Sequence, residues 1–109
     1  MEKDGLTISS TVSSENEFVI MLGGELTTVT SQALDVYLTT ALDDFQRAGL
    51  VFDLFDLTYI SAQGLRAIYS AYRKLSKLHK PVKIINVKDN IHMTFDVSGF
   101  ADVMQVSGV

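Results

Sequence analysis

Two aspartates, Asp53 and Asp56, are the first residues in this chain whose type and spacing could support catalysis. A pair of carboxylates can act as general acid and base when both groups converge on one substrate. These two lie three residues apart across a predicted strand end, where successive side chains alternate between faces, so we expect them to face opposite ways. A receiver-type aspartate pocket would also need an acidic cluster at a preceding strand end, and the sequence offers only Glu25 there. The pair therefore does not predict acid–base catalysis.

Ser61 directly precedes a predicted helix, and this position supports two roles. As an N-cap residue, it would accept a hydrogen bond from a backbone amide of the first helical turn. As a phosphoacceptor, it would place a phosphate at the positive end of the helix dipole. A single serine favours the capping role, and both roles stay open at this point.

Other signatures of enzymes and metalloproteins are missing from the sequence. His79 and His92 are the only histidines, and neither has a second ligand at the spacing of a metal site. No glycine-rich nucleotide-binding motif follows a strand, and no cysteine could serve as nucleophile or thiolate ligand. We predict a protein that is not an enzyme and that binds no metal and no cofactor.

A strand, a loop and a helix between Val51 and Leu75 position Ser61. The strand is a short, mostly apolar run that is typical of a strand covered on both faces. The helix is expected from about Ala62 to His79, because apolar residues recur there at helical spacing. We expect function in the intervening loop, residues 56–64.

The rest of the chain predicts strands that alternate with helices. Residues 6–12 and 18–22 predict an antiparallel hairpin that ends at Gly23 and Gly24. A helix carrying Leu34 and Leu38 follows and is expected to stop with Gly49 as its C′ residue. Strand 82–87, a short helix and a last strand over residues 103–106 complete the order β-β-α-β-α-β-α-β. This order predicts an α/β fold with three helices and a mixed, mostly parallel sheet of about five strands.

Length and composition limit the possible function. A chain of 109 residues predicts one domain, residues 1–109, with a single core. No apolar run is long enough to span a bilayer, and no signal segment is evident, so we expect a cytoplasmic protein without membrane insertion.

Charge is distributed unevenly along the chain. Residues 66–88 hold seven basic residues and no acidic one, whereas the rest of the chain holds two basic and thirteen acidic residues. An acidic body with one basic face favours a polar protein partner over nucleic acid. The basic side chains on the predicted helix, among them Arg66, Arg73 and Lys77, have no acidic neighbour on that helix to neutralise them. The helix therefore predicts a partner-binding face.

Three segments of the sequence resemble one known family. They are Gly-Glu-Leu-Thr at residues 24–27, the run from Val51 to Arg66 with its Tyr-Ile-Ser-Ala-Gln-Gly-Leu-Arg piece, and residues 85–100. All three resemble STAS domains, and more narrowly the bacterial anti-sigma factor antagonists, over residues 6–106. The resemblance implies a small STAS-type α/β sandwich, in agreement with the element order.

The resemblance also implies a mechanism of partner switching. Antagonists of this family bind an anti-sigma factor, usually a GHKL-type serine kinase, and so release a sigma factor. The kinase phosphorylates a serine at a helix N-terminus and breaks the complex, and a PP2C-type phosphatase restores it. A phosphate adds about −1.5 to −2 charges to the interface.

This sequence departs from the family pattern at the phosphorylated residue. Aligned on Gly64 and Leu65, Ser61 takes the first position of the family motif, and Ala62 takes the position of the phosphoserine. Ser61 is then the remaining phosphoacceptor candidate. Three possibilities stay open: Ser61 is an off-register acceptor, the protein is an unregulated antagonist, or it binds another partner, such as a lipid transporter as its STAS accessory subunit.

The resemblance predicts a partner-binding surface on two loops and the helix that follows the second. Its predicted residues are Thr27, Thr28, Thr30, Ser61, Ala62, Gln63, Gly64, Arg66, Tyr69 and Arg73.

Overall fold

A single six-stranded sheet, whose strands are neighbours in the order in which they follow in the chain, forms the framework of the protein. The computed structural model describes residues 1–100 and 104–108. The strands are β1 (Glu2–Lys3), β2 (Leu6–Val12), β3 (Glu17–Leu26), β4 (Gly49–Ile60), β5 (Val82–Val87) and β6 (Gln105–Gly108). The helices are α1 (Thr30–Ala41), α2 (Ala62–Ser76) and α3 (Asp89–Ser98).

The sheet is mixed and mostly parallel, which confirms the predicted fold class. β1, β2 and β3 pair antiparallel, whereas β3, β4, β5 and β6 pair parallel. From β2 onwards the element order matches the predicted one. The additional strand β1 forms a hairpin with β2 through Asp4 and Gly5, both of which have positive φ. Two residues are too few to show an alternating pattern, and the sequence therefore did not reveal this strand.

The three helices cover one face of the sheet. Residues of α1, α2 and α3, including Leu34, Ile68 and Phe95, belong to the same hydrophobic cluster as the inner side chains of the strands. Parallel strands placed side by side in chain order, with crossovers of one hand, bring all connecting helices to the same side. The other face of the sheet carries polar side chains such as Thr7 and Ser9, which are exposed.

β3 is longer than the sequence predicted. Gly23 and Gly24 do not end the strand, which continues to Leu26, because both glycines pair with β2 on one side and β4 on the other. The pairing of β3 with β4 shifts register between Met21 and Gly23 and again after Gly24. The two glycines thus mark an irregular stretch inside a central strand.

The same irregularity changes the direction of side chains on β4. Met21 pairs with Asp53 and Gly23 with Asp56, so β4 uses three residue steps where β3 uses two. Asp53 and Asp56 consequently line one cavity of about 300 Å³ on the outer face of the sheet. The prediction that they face opposite ways was wrong, because regular alternation does not hold across a bulge. The Asp53 carboxylate accepts hydrogen bonds from the Phe55 backbone N–H and from Asn86 Nδ2, at 3.0 and 3.1 Å.

Three predicted element boundaries also differ from the structure. Gly49 is the first residue of β4 and not the C′ residue of α1, which ends at Ala41. α2 ends at Ser76, and His79 has a positive φ that the helix could not continue through. The predicted loop over residues 56–64 is strand as far as Ile60. The predicted last strand begins at residue 103, outside the described residues, and β6 continues to Gly108.

Candidate functional site

Ser61 lies at the junction between the end of β4 and the start of α2. Its backbone is extended, and its Oγ accepts a hydrogen bond from the Gly64 backbone N–H at 3.1 Å. The Leu65 backbone N–H donates to the Ser61 carbonyl oxygen at 3.0 Å and closes the first turn. This is the geometry of a helix N-cap, and it gives the Ser61 hydroxyl a structural role.

Loss of this cap is expected to destabilise the protein modestly. Ser61→Ala should lower the free energy of unfolding by about 1 kcal/mol, because the Gly64 N–H loses its acceptor. Ser61→Asp should retain most of the stability, since a carboxylate can cap the same turn and favours a helix N-terminus. Chemical denaturation of the three proteins measures both effects. Equal loss in the two variants would contradict the capping role.

Gly64 and Leu26 join the start of α2 to the end of β3. The Ser61 backbone N–H donates to the Leu26 carbonyl oxygen at 2.8 Å. A Cβ at Gly64 would lie 2.7 Å from Leu26 Cγ and 3.1 Å from Ile60 Cγ1, so only glycine lets the helix approach this closely. The segment 61–64 is therefore held directly beside the loop that follows Leu26.

That loop, residues 27–30, is held by its own threonine side chains. Thr30 Oγ1 accepts from the Thr27 backbone N–H at 2.7 Å and donates to the Glu25 carbonyl at 2.9 Å. The Thr30 backbone N–H in turn donates to Thr27 Oγ1 at 3.1 Å. Thr30 is only 2% exposed and supports the loop from within, whereas Thr28 and Val29 are exposed at its tip.

The outer face of α2 presents a single line of exposed or half-exposed residues. Ala62, Arg66, Tyr69, Arg73 and Lys77 follow each other at intervals of four, three, four and four residues and so share one side of the helix. The opposite side packs on the sheet through Leu65, Ala67, Ile68, Ala71 and Leu75. Gln63 Oε1 accepts from Arg66 Nη1 at the first turn. The predicted site residues on α2 are thus brought together on one surface, apart from Gly64, which is buried.

Tyr69 is held in place by an aromatic neighbour from another element. Its ring stacks on Phe100, which follows α3, with centroids 4.7 Å apart and planes 6° from parallel. The centroid of the Tyr72 ring lies 5.8 Å from that of Tyr69. Sequence reasoning missed Phe100 as a site residue, because no local pattern pointed to its contact with Tyr69.

These residues form one surface, which we name the docking surface and define by its exposed or half-exposed members: Thr27, Thr28, Ser61, Ala62, Gln63, Arg66, Tyr69 and Arg73. Such a surface can bind a partner through shape, aromatic contact and charge. Val29 instead lines a cavity of about 780 Å³ together with Met1, Phe18 and residues of α1. In the described part of the chain, no group of three or more His, Asp or Glu residues could hold a metal ion. None of the helices in residues 1–100 and 104–108 is long and apolar enough to cross a bilayer.

The fold defines a small α/β domain with helices on one face of a mixed sheet. The family model of the STAS domain matches residues 9–108, so the chain belongs to the STAS domain family. It is 27% identical over 97 residues to an anti-sigma-B factor antagonist of Staphylococcus aureus, and the match covers 89% of each chain.

Solved structures show the same fold. An anti-sigma factor antagonist from Mycobacterium paratuberculosis superposes with a TM-score of 0.86 at 19% identity, covering 99% of this chain and 90% of the other. The Bacillus cell fate determinant SpoIIAA in its phosphorylated form superposes with a TM-score of 0.71 at 17% identity, covering 92% and 90%. At these identities the likeness concerns the fold.

Proposed function

We propose that this protein is an anti-sigma factor antagonist, a binding module that captures an anti-sigma factor and thereby releases a sigma factor. The observation that carries the proposal is the Leu26–Gly64 contact, which joins the loop 27–30 to the first turn of α2. Two segments that are remote in sequence are thus adjacent, which supports their use as one docking surface. Support also comes from the relative of that name in S. aureus, which matches along 89% of both chains.

The proposed partner is a GHKL-type serine kinase, and a PP2C-type phosphatase is proposed only for a form that carries phosphate. Tyr69 and the two arginines beside it are the residue types that dominate the binding energy of protein interfaces. The exposed Ala62 methyl group adds a small apolar area at the start of the same helix. Because sigma factors act on RNA polymerase, this role assigns the protein to the cytoplasm.

We further propose that Ser61 is not a phosphorylation switch. Ser61 is half-buried and its Oγ accepts from the Gly64 N–H, so a kinase would have to displace this hydrogen bond to reach the hydroxyl. Ala62, the exposed residue at the start of α2, has no hydroxyl to accept phosphate. The protein would then remain in its binding form in the presence of kinase and ATP.

Direct binding to purified kinases tests the proposal. Each GHKL-type serine kinase encoded in the source genome is immobilised and titrated with this protein, and one is expected to bind with a dissociation constant of about 1 μM or below. Tyr69→Ala should weaken that binding by about tenfold or more, because it removes the central aromatic side chain.

Phe55→Ala is the matched control for the Tyr69 variant. Phe55 is 51% exposed but lines the cavity on the outer face of the sheet, away from the docking surface. Its removal should leave kinase binding unchanged. Failure of the wild-type protein to bind any of these kinases would refute the proposal. Binding of the protein to a transporter complex would instead support the accessory-subunit role.

A further inference from the structure

The outer face of α2 carries positive charge with which no carboxylate of residues 1–100 and 104–108 forms an ion pair. Arg73, Lys74 and Lys77 are exposed, and among residues 1–100 and 104–108 none of the three has a carboxylate within ion-pair distance. In the described part of the chain, Lys83 forms an ion pair with Glu17 on the sheet, and His92 Nδ1 lies 3.1 Å from an Asp96 carboxylate oxygen on α3. Arg66 is bound to the neutral side chain of Gln63.

This arrangement is unusual for a protein with a net charge of −4. Exposed helices commonly alternate basic and acidic residues at spacings of three and four, which neutralises the face. From residue 66 to residue 88 the chain contains no acidic residue, although thirteen lie elsewhere. The basic face of α2 is thus set within an acidic molecule, and its charges are available to an outside partner.

An ordered aromatic ring lies within this basic face. Tyr69 is three residues after Arg66 and four before Arg73, so one guanidinium lies a turn away on each side. Its stack on Phe100 restricts the ring before any partner arrives. Because this aromatic side chain is ordered in advance, less entropy is lost on binding. The arginines on either side of it favour a partner whose carboxylates surround an apolar pocket.

We infer that the docking surface recognises an acidic protein surface, in which carboxylates surround a pocket that receives Tyr69. The inference rests on the proposed function only for the identity of that partner, the anti-sigma factor. Carboxylates facing Arg66, Arg73 and Lys77 complement the field of α2 and steer the encounter, so the association rate depends on salt. The rest of the antagonist is acidic and repels the same partner, which directs binding to α2.

Charge reversal with a matched control tests the inference. The double variant Arg73→Glu/Lys77→Glu changes α2, whereas Lys3→Glu/Arg47→Glu makes the same change of net charge on β1 and on the segment before β4. Stopped-flow association with the kinase that binds wild type is measured at low salt and at about 0.2 M NaCl. At low salt the α2 variant should associate about tenfold more slowly, and the control at the wild-type rate. At about 0.2 M NaCl, most of the difference in association rate between the α2 variant and the wild type should disappear.

The kinase experiment separates the inference from the proposed function. If wild type binds and the α2 variant associates as fast as wild type, the inference is wrong and the antagonist role stands. An equal slowing of both variants would also overturn it, because net charge alone would then explain the rate. Thermal unfolding of each variant verifies that it is folded.

A second probe makes the inference testable even if no kinase binds. ¹⁵N-labelled protein is titrated with a synthetic heptapeptide of three glutamates, one tyrosine and three glutamates. Amide shifts should concentrate in residues 66–77, disappear in the α2 variant and persist in the control variant. Shifts that spread over other surfaces, or that survive in the α2 variant, would overturn the inference whatever the kinases do.

Discussion

Replacement of Gly24 with alanine is expected to lower the free energy of unfolding by about 3 kcal/mol or more. Gly24 has a φ of +83°, and a Cβ there would lie 1.9 Å from the Gly5 carbonyl oxygen. That carbonyl accepts a hydrogen bond from the Glu25 N–H at 3.0 Å, so it cannot move without a further loss. Thermal unfolding should show a fall in midpoint of about 4 to 8 °C for each kcal/mol lost.

The variant Gly5→Ala separates the two causes of this loss of stability, the backbone strain of a positive φ and the steric clash of the added Cβ. Gly5 also has a positive φ, +90°, but a Cβ there would meet no atom within 4 Å. Its replacement should therefore carry only the backbone strain, about 1 to 2 kcal/mol. If Gly5→Ala and Gly24→Ala lose the same stability, the close contact of Gly24 with the Gly5 carbonyl has no energetic role.

Introduction of a serine at position 62 is expected to create a phosphorylation site at the start of α2. Incubated with ATP and the kinase that we propose as partner, the wild type should gain no phosphate, whereas Ala62→Ser should gain one, as intact-mass measurement would show. The position is exposed, lies at the positive end of α2, and is one turn from Arg66. The added charge of about −1.5 to −2 should weaken binding to an acidic partner by about tenfold or more.

Two variants identify the modified atom. The double variant Ser61→Ala/Ala62→Ser should be labelled as fully as Ala62→Ser, and Ser61→Ala alone should remain unlabelled. A phosphate on Ser61 of the wild type would show that the cap opens to the kinase, and it would refute our proposal that Ser61 is not a switch.

The helices and the core could be predicted from the sequence because burial sets the spacing of apolar residues. Leu65, Ile68 and Leu75 recur at helical intervals and are all buried in the structure. The alternation of Leu6 and Ile8 with polar residues likewise predicted a strand with one buried face. These patterns depend on neighbours in the chain and are readable without the fold.

Glycine positions were harder to interpret. Gly49 was predicted to stop a helix and instead begins β4, and Gly23 and Gly24 were predicted to end a strand that continues through them. The same residue type serves turns, bulges and close backbone contacts. Which role applies depends on the strand that lies opposite, and a one-dimensional pattern does not contain that information.

By itself, the sequence determined the element order from β2 onwards, the uneven distribution of charge, and the alanine at position 62 beside Ser61. All three are properties of residue type and spacing. Only the tertiary structure decided that Leu26 lies against Gly64, that Phe100 stacks on Tyr69, and that a bulge brings Asp53 and Asp56 to one side. Each of these contacts joins segments that are distant in the sequence, through strand pairing or through packing between elements. It therefore forms only when those elements have come together in the fold.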